Sequence, residues 1–195
     1  MVSLQPIKNI VEFKEKIEEA FNLNKNISEV LEIILGGTVD LEASDLHIEP
    51  QKEKTKIRIR IDGMLQEVIV IDKKLYEALL SRIKLLAKLK LNIANRPQDG
   101  RFSILSPDNL AVEVRVSTLP AENGETLVLR LLNPKTLIEV EELGLRNDLL
   151  AILKKEIKKP NGMLIVTGPT GSGKTTTLYA FLKKIQTPEI KIITI

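Results

Sequence analysis

The run GPTGSGKT, residues 168–175, fits the phosphate-binding loop pattern G-x-x-x-x-G-K-[ST] at every fixed position. Glycines in such a loop let several backbone N–H groups converge on a polyphosphate without side chains in the way. In this pattern Lys174 reaches the β- and γ-phosphates, and the hydroxyl of Thr175 holds Mg²⁺. The run therefore predicts binding of a nucleoside triphosphate with Mg²⁺. The residues expected to contact the nucleotide are Gly168, Pro169, Thr170, Gly171, Ser172, Gly173, Lys174, Thr175 and Thr176.

The segments beside this loop are those that such a site needs. Residues 163–167, MLIVT, form a short apolar run typical of a buried strand. Residues 176–186 are predicted to form a helix whose N-terminus points at the phosphates. A last apolar run, residues 191–195, is interpreted as the next strand of a parallel sheet. Strand, loop, helix and strand in this order indicate the beginning of an α/β nucleotide-binding domain.

The composition excludes several other classes of protein. The 195 residues carry 29 Lys and Arg against 26 Asp and Glu, a net charge of +3 that is spread along the chain and indicates a solvated surface. There is no cysteine, which excludes disulfides and thiolate metal sites within this chain. The amino end has no apolar signal core and no run approaches 18 apolar residues, so we expect a cytosolic protein.

Two helices are predicted before the first strand. Residues 11–21 carry apolar side chains at helical spacing, and Ser28 is expected to cap a second helix that runs to about Leu41. The pair Gly36-Gly37 lies inside this second helix. Glycine is unfavourable there by about 1 kcal/mol relative to alanine, which indicates either a break or close packing.

The middle of the chain alternates between strands and one more helix. Asp62-Gly63 is a hairpin signal between two alternating apolar segments. Asp72 is expected to cap a helix that runs to about Leu91, and alternation then returns between residues 101 and 132. Short strands joined by hairpins, with a few helices, predict a mostly antiparallel α+β domain over about residues 28–132.

Several motifs, in this order, resemble the hexameric secretion ATPases of type II secretion and type IV pilus assembly. They are ASDLHIEP (43–50), RIRIDG (58–63), SRIK (81–84), RPQDGR (96–101), VRVSTLP (114–120), GE (124–125), LRLL (129–132), LGL (143–145) and GPTGSGKTTTLY (168–179). The match covers about residues 31–195. The segments STLPAENGE and TTTLY are more similar to the assembly branch of the family than to its retraction branch.

The resemblance implies an α/β fold class, with a PAS-like α+β domain followed by the incomplete beginning of a RecA-like ATPase domain. The expected divisions are an N-terminal helical segment (1–27), the PAS-like domain (28–133), a linker (134–145) and the truncated ATPase domain (146–195). It also implies a cytoplasmic motor ATPase that powers pilin assembly or protein secretion. Such a motor forms a homohexameric ring on an inner-membrane platform protein, peripheral at the inner face of the cytoplasmic membrane, and no nucleic acid is expected as a partner.

Three arginines are candidate catalytic contacts to the γ-phosphate, together with Lys174: Arg60, Arg101 and Arg115. A guanidinium presents a planar fork of donors that matches a phosphate and stabilises its transition-state charge. From spacing alone, arginines on exposed strand faces are more often solvated or in weak ion pairs. The resemblance favours a nucleotide contact for Arg101 and Arg115.

Other polar residues are interpreted as structural or solvated. Arg58 and Arg96 are expected to be structural, and so is His47, which has no second histidine or cysteine with which to complete a metal site. Lys84, on the helix after Asp72, is expected to lie on a solvated face.

The family's acidic strand-end box, Walker B box and histidine box have no counterpart in these residues, and neither has the paired-cysteine zinc insert. We therefore expect the chain to hydrolyse ATP slowly or not at all. Two other functions stay open at this point. One is a non-catalytic nucleotide-binding or assembly module. The other is a DNA-handling RecA-like ATPase, which the scarcity of aromatic residues and the lack of a basic cluster disfavour.

Overall fold

The computed structural model describes residues 6–23, 25–106, 109–132, 139–169 and 172–193. The chain divides into two compact units, Met1–Pro134 and Lys135–Ile195, and each is described by itself.

The first unit is built on a six-stranded sheet in which every neighbouring pair is antiparallel. The strands are β1 (Asp45–Pro50), β2 (Lys54–Ile61), β3 (Met64–Asp72), β4 (Gln98–Leu105), β5 (Ala111–Ala121) and β6 (Gly124–Leu132). Their order across the sheet is β3-β2-β1-β6-β5-β4. Two hairpin runs, β1–β3 and β4–β6, therefore meet where β1 pairs with β6.

The hairpin predicted at Asp62-Gly63 is confirmed. Ile61 of β2 pairs directly with Met64 of β3, and the two residues between them have φ angles of 49° and 81°. Two consecutive residues in this left-handed region make the tight turn whose twist matches that of the flanking strands.

Three helices join one face of the sheet in a single apolar core: α1 (Ile10–Asn22), α2 (Ile27–Asp40) and α3 (Lys73–Leu86). Alternate strand residues such as Ile48, Ile59 and Val114 are fully buried in this core. The intervening residues lie on the opposite face, which carries most of the charged side chains of the strands. This alternation confirms the mixed helix-and-strand class expected from the sequence, with an antiparallel sheet.

Three local predictions about these helices are corrected. The cap of α2 is Asn26, not Ser28, because the Asn26 side chain accepts hydrogen bonds from the backbone of both Ser28 and Glu29. Helix α3 is capped by Asp72 as predicted but ends at Leu86, not near Leu91, because Lys88 takes a left-handed conformation with φ of 58°.

Lys84 is the third correction. Its side chain is buried and its ammonium group pairs with the Glu125 carboxylate, so it does not lie on a solvated face.

The second unit contains a short 3-10 helix (Val140–Glu142), α4 (Asn147–Glu156) and α5 (Lys174–Ile185). Val140, Ala180 and Phe181 form its small buried core. The parallel strands expected at 163–167 and 191–195 are not formed within the described residues. Residues 163–169 and 191–193 pair with no other strand there, so these apolar segments lack the ladder of hydrogen bonds that defines a strand. Residues 194 and 195 lie outside the described residues.

Candidate functional site

A row of arginines crosses the charged face of the sheet. Asp45 of β1 pairs with Arg60 on one side and with Arg130 of β6 on the other. Arg130 in turn pairs with Arg115 of β5, and Arg115 with Arg101 of β4. Directly opposite residues of antiparallel strands project to the same face with their Cβ atoms about 4.5–5.5 Å apart. These five residues, hereafter the arginine row, therefore place four guanidinium groups and one carboxylate side by side.

Arg101 and Arg115 border a shallow depression of about 370 Å³. Both side chains are exposed. Arg115 has an ion pair with Glu113 at 3.0 Å, and both groups of that pair are open to solvent, so it is weak. Within the described residues Arg101 has no ion pair and no side-chain hydrogen bond. An oxyanion placed between these two guanidiniums would meet donors from both.

Arg60 differs from the other two candidates because its guanidinium is already held. Its Nε lies 3.2 Å from Asp45 Oδ2, and its Nη1 donates to the Gly63 carbonyl oxygen at 2.9 Å. Its side chain is 34% exposed. All three arginines lie in the arginine row, but β1 and β6 separate Arg60 from Arg115, and of the three only Arg101 and Arg115 project guanidiniums without a buried partner.

Asp45 is the buried acid of the arginine row. Burial disfavours its charged form, but hydrogen bonds from Arg130 and Ser44 outweigh that effect and hold the pKa of Asp45 below its ordinary value. Its carboxylate is therefore charged at neutral pH, where it accepts a hydrogen bond from Arg130 and forms an ion pair with Arg60.

Arg130 is a member of the arginine row that we did not select from the sequence. It lies in an alternating strand like Arg115, and that alternation was visible. Its position beside Asp45 depends on the pairing of β1 with β6, which joins residues 85 positions apart.

His47 lies on the same face in the neighbouring row, opposite Arg58. Burial of the imidazole is the largest influence on its pKa and lowers it, and the nearby Glu49 and Asp45 carboxylates only partly oppose that. The ring is therefore neutral near pH 7. Arg58 is held by Glu49 at 2.5 Å, which fits the structural role predicted for both residues.

Acidification to pH 5.5 is expected to destabilise the first unit through His47. Because the pKa of His47 is lower in the folded than in the unfolded state, the unfolded state takes up the proton first, and the free energy of unfolding falls below a pH of about 6.5. Asp45 acts in a separate window: with its lowered pKa, its contribution is lost only below about pH 4.

Urea unfolding at pH 7.5 and pH 5.5, followed by far-UV circular dichroism, measures this effect in the wild type and in His47→Gln. The substitution should remove most of the difference between the two pH values, since His47 is the only histidine of the chain. A wild-type midpoint that is equal at both pH values would contradict the assignment.

The phosphate-binding loop lies in the second unit. Gly173 takes a left-handed conformation with φ of 80°, and α5 begins at the next residue. The loop is narrow, because a Cβ on Gly168 would lie 2.5 Å from Ser172 Oγ. The Lys174 ammonium group donates to the Pro169 carbonyl oxygen at 2.7 Å and so lies over the loop. Thr170 and Gly171 lie outside the described residues.

These features fit a polyphosphate. The first backbone N–H groups of α5 belong to Lys174, Thr175 and Thr176, and the first N–H groups of a helix have no partner within it. The N-terminus of the helix also carries partial positive charge. Thr175 is exposed at this end, where its hydroxyl can reach a ligand.

Comparison with known proteins gives a broad match. A profile of the family described as "Type II/IV secretion system protein" matches residues 22–195. "Type II secretion system protein E" of Xanthomonas campestris pv. campestris is 42% identical over 167 residues, which cover 85% of this chain and 29% of that protein. "Type IV pilus assembly ATPase TfpB" of Acinetobacter baylyi is 40% identical over 173 residues, which cover 88% of this chain and 30% of that protein. The chain thus spans less than a third of these two relatives.

A solved structure has the same fold. The ATPase DotB of Legionella pneumophila matches with a TM-score of 0.59 and 19% sequence identity, over 82% of this chain and 43% of that chain. Among the described residues, no helix has both the length and the apolar character needed to cross a membrane. The family profile covers all the residues that carry the motifs quoted above, from 43 to 179, and the chain belongs to the type II/IV secretion system protein family.

Proposed function

We propose that this chain is the nucleotide-binding part of a motor ATPase that powers pilin assembly or protein secretion. The observation that carries the proposal is the start of α5 at Lys174, directly after the left-handed Gly173, in a chain of this family. Lys174 and the first N–H groups of α5 would hold the β- and γ-phosphates. Mg²⁺ usually keeps several waters and is bound through substrate phosphates and one or two protein groups. Thr175 would be that protein group.

Arg101 and Arg115 are proposed as the residues of the first unit that contact phosphate. Their guanidiniums lie side by side and exposed, and an oxyanion that gains negative charge in the transition state is stabilised by such donors. Occupancy of the site by nucleotide would then be coupled to the position of the PAS-like domain. Arg60 is left out of this contact set because Asp45 and the Gly63 carbonyl already hold it.

The assembly is also part of the proposal. The whole protein would form a homohexameric ring in the cytoplasm and work against a platform protein at the inner membrane. Residues 28–133 would be the PAS-like domain, 134–145 the linker, and 146–195 the beginning of the RecA-like domain. Hydrolysis needs residues for water activation that this stretch does not supply, so we expect the chain alone to turn over ATP slowly or not at all.

Loss of the Lys174 ammonium group is expected to weaken binding of Mg²⁺–ATP at least about tenfold, because a charge-assisted contact to phosphate is removed. Calorimetric titration of the chain and of Lys174→Ala measures this. Lys158→Ala is the matched control, since it removes an exposed lysine of the same unit that lies outside the loop. Equal affinities for Lys174→Ala and the parent chain, or no binding by the parent chain, would contradict nucleotide binding at this loop. ATP turnover above the Lys174→Ala background would contradict the expected inactivity.

A further inference from the structure

We infer that the first unit docks head to tail on a second copy of itself, with an acidic ridge of one copy seated on a basic loop of the next. The acidic ridge is a row on α1 formed by Val11, Glu15, Glu19 and Leu23. The basic loop, residues 85–97, is the end of α3 and the connection to β4, and its exposed side chains include Leu85, Lys88, Lys90, Leu91 and Arg96. The inference concerns the first unit alone and does not depend on nucleotide binding.

The acidic ridge lies on the outer face of α1. Its four residues follow one another at a spacing of four, which places them in one row along a helix. The buried residues of α1 lie on the opposite face. Val11 and Leu23 are 67% and 61% exposed. The ridge therefore presents two carboxylates between two exposed apolar side chains.

The charge of the acidic ridge is not balanced within α1. The helix carries four glutamates and two lysines, and the two lysines pair with Glu12 and Glu18. Among the described residues, Glu15 and Glu19 have no ion pair and no side-chain hydrogen bond. Glutamates four residues apart on a helix repel each other. A cationic surface placed against the ridge would offset that repulsion.

The basic loop has the opposite charge and a similar apolar flank. Lys88, Lys90 and Arg96 are exposed, and residues 85–97 include no acidic residue. In the described part of the chain these three cations have no ion pair. Leu85 and Leu91 are 55% and 51% exposed. Each surface thus matches the other in charge and brings exposed apolar side chains to the contact.

Side-chain hydrogen bonds fix the backbone of the basic loop, which has no helix or strand after Leu86. The Gln98 side chain accepts from the Lys90 N–H at 3.0 Å and donates to the Lys90 and Ile93 carbonyl oxygens at 3.0 and 2.9 Å. The Ile93 carbonyl oxygen also accepts from the buried Lys84 ammonium group at 2.8 Å. A fixed backbone reduces the conformational entropy that is lost when a partner binds.

The two surfaces lie at opposite edges of the sheet. The edge strands are β3 and β4. Phe21 of α1 lines a groove together with Ile69 of β3, so α1 lies at the first edge. The basic loop leads into β4, where the backbone of Ala87 lies against Gly100. Complementary surfaces at opposite edges of one molecule meet between copies, and such a head-to-tail contact either closes into a ring or extends into a filament.

The contact is expected to be weak on its own. Four residues on one side and five on the other cover less than the roughly 800 Å² per partner of a standard interface. Ion pairs at an exposed contact are also screened by salt. In the proposed ring, contacts made elsewhere would hold neighbouring copies together, and a weak contact between first units would then act at a high effective concentration.

Sedimentation equilibrium of the chain, at concentrations from about 10 to about 500 µM, measures the self-association. At about 25 mM NaCl we expect a dissociation constant of about 100 µM, and at about 300 mM NaCl a constant at least about threefold larger. Glu15→Lys/Glu19→Lys and Lys88→Glu/Lys90→Glu should each weaken association at least about tenfold, because each variant has two surfaces of like charge. A parent chain that stays monomeric, or variants that associate as the parent does, would overturn the inference.

An equimolar mixture of the two variants tests whether the two surfaces meet each other. In the mixture every reversed surface finds one of opposite charge, so association should return to within about threefold of the parent. Such recovery also requires that both variants are folded, and a mixture that stays monomeric would overturn the inference. Glu53→Lys/Glu122→Lys is the matched control, because it makes the same change in net charge as the α1 variant at exposed turns away from both edge strands. It should associate within about twofold of the parent.

The inference and the proposed function can fail separately. Lys174→Ala should leave the self-association within about twofold of the parent, because the loop lysine belongs to neither surface. Association that persists in both charge-reversal variants would mean that other surfaces join the copies, and nucleotide binding at the loop would be unaffected by that result.

Discussion

Replacing Lys84 by methionine is expected to lower the free energy of unfolding of the first unit by about 3–5 kcal/mol, the usual cost of removing one partner of a buried ion pair. The Lys84 ammonium group lies 2.5 Å from Glu125 Oε2 and 2.8 Å from the Ile93 carbonyl oxygen. The side chains of the pair are only 2% and 4% exposed. Methionine fills a similar volume, so the loss arises from the unpaired charge and not from a cavity.

Glu125 would be poorly compensated without Lys84. Its Oε1 atom already has no hydrogen-bond partner among the described residues. Its backbone N–H donates to the Tyr76 hydroxyl oxygen, and its backbone carbonyl accepts from that hydroxyl. These two hydrogen bonds fix the start of β6, so the carboxylate could reach water only if they were broken. A buried carboxylate with no counter-charge has to be neutralised or hydrated, and either is unfavourable.

Urea unfolding followed by far-UV circular dichroism measures the effect. Lys73→Met, at an exposed position of the same helix, is the control and should change stability by less than about 0.5 kcal/mol. The double variant Lys84→Met/Glu125→Met removes both charges and should recover most of the loss. A single variant as stable as the wild type would show that the pair is hydrated and contributes little.

The ion pair between Lys84 and Glu125 could not be predicted from the sequence. Leu79 and Ile83 of α3 are fully buried, and their spacing of four residues is the apolar spacing of a helix that packs on a core. Lys84 follows Ile83 at the boundary of that face, where a lysine is usually solvated. Its burial depends on Glu125, 41 residues later in another strand, and no local signal joins the two.

The arginine row could be predicted only in part, because one of the strand pairings that form it is long-range. Neighbouring strands joined by hairpins could be paired from the sequence, which places Arg101 and Arg115 on adjacent strands. The pairing of β1 with β6 has no hairpin, so nothing in the sequence placed Arg130 beside Asp45. Arg60 lies opposite Asp45 through the short connection between β1 and β2, and that local pairing is what holds Arg60.

The second unit differs from its prediction for a physical reason. The apolar run 163–167 has the composition of a buried strand. A β-strand forms only when its backbone hydrogen-bonds to a neighbouring strand, and no other described segment pairs with this run. The helix after the loop depends on local sequence, and it was predicted to within two residues of its start at Lys174.

Replacing Phe13 by alanine is expected to destabilise the first unit by about 3–5 kcal/mol, the range for removing a large aromatic side chain from a packed core. Phe13 is fully buried, and its ring lies against Gly37 of α2 so closely that a Cβ there would be 2.3 Å from the ring. The sequence left two interpretations of Gly36-Gly37 open, a break in the helix or close packing. The structure has close packing at Gly37 and no break, since α2 continues to Asp40.

This prediction also bears on where the first domain begins. The sequence suggested residues 1–27 as a separate N-terminal segment, whereas Phe13, Ile17 and Ala20 of α1 lie in the same core as the sheet. If α1 is part of the cooperative unit, Phe13→Ala should shift the unfolding transition of the whole sheet, as seen by far-UV circular dichroism in urea. Val11→Ala, at an exposed position of the same helix, is the control and should leave that transition within about 0.5 kcal/mol. A Phe13→Ala variant that loses helical signal while the sheet unfolds at its original urea concentration would mean that α1 folds on the domain without stabilising it, and the boundary at residue 28 would then be the correct one.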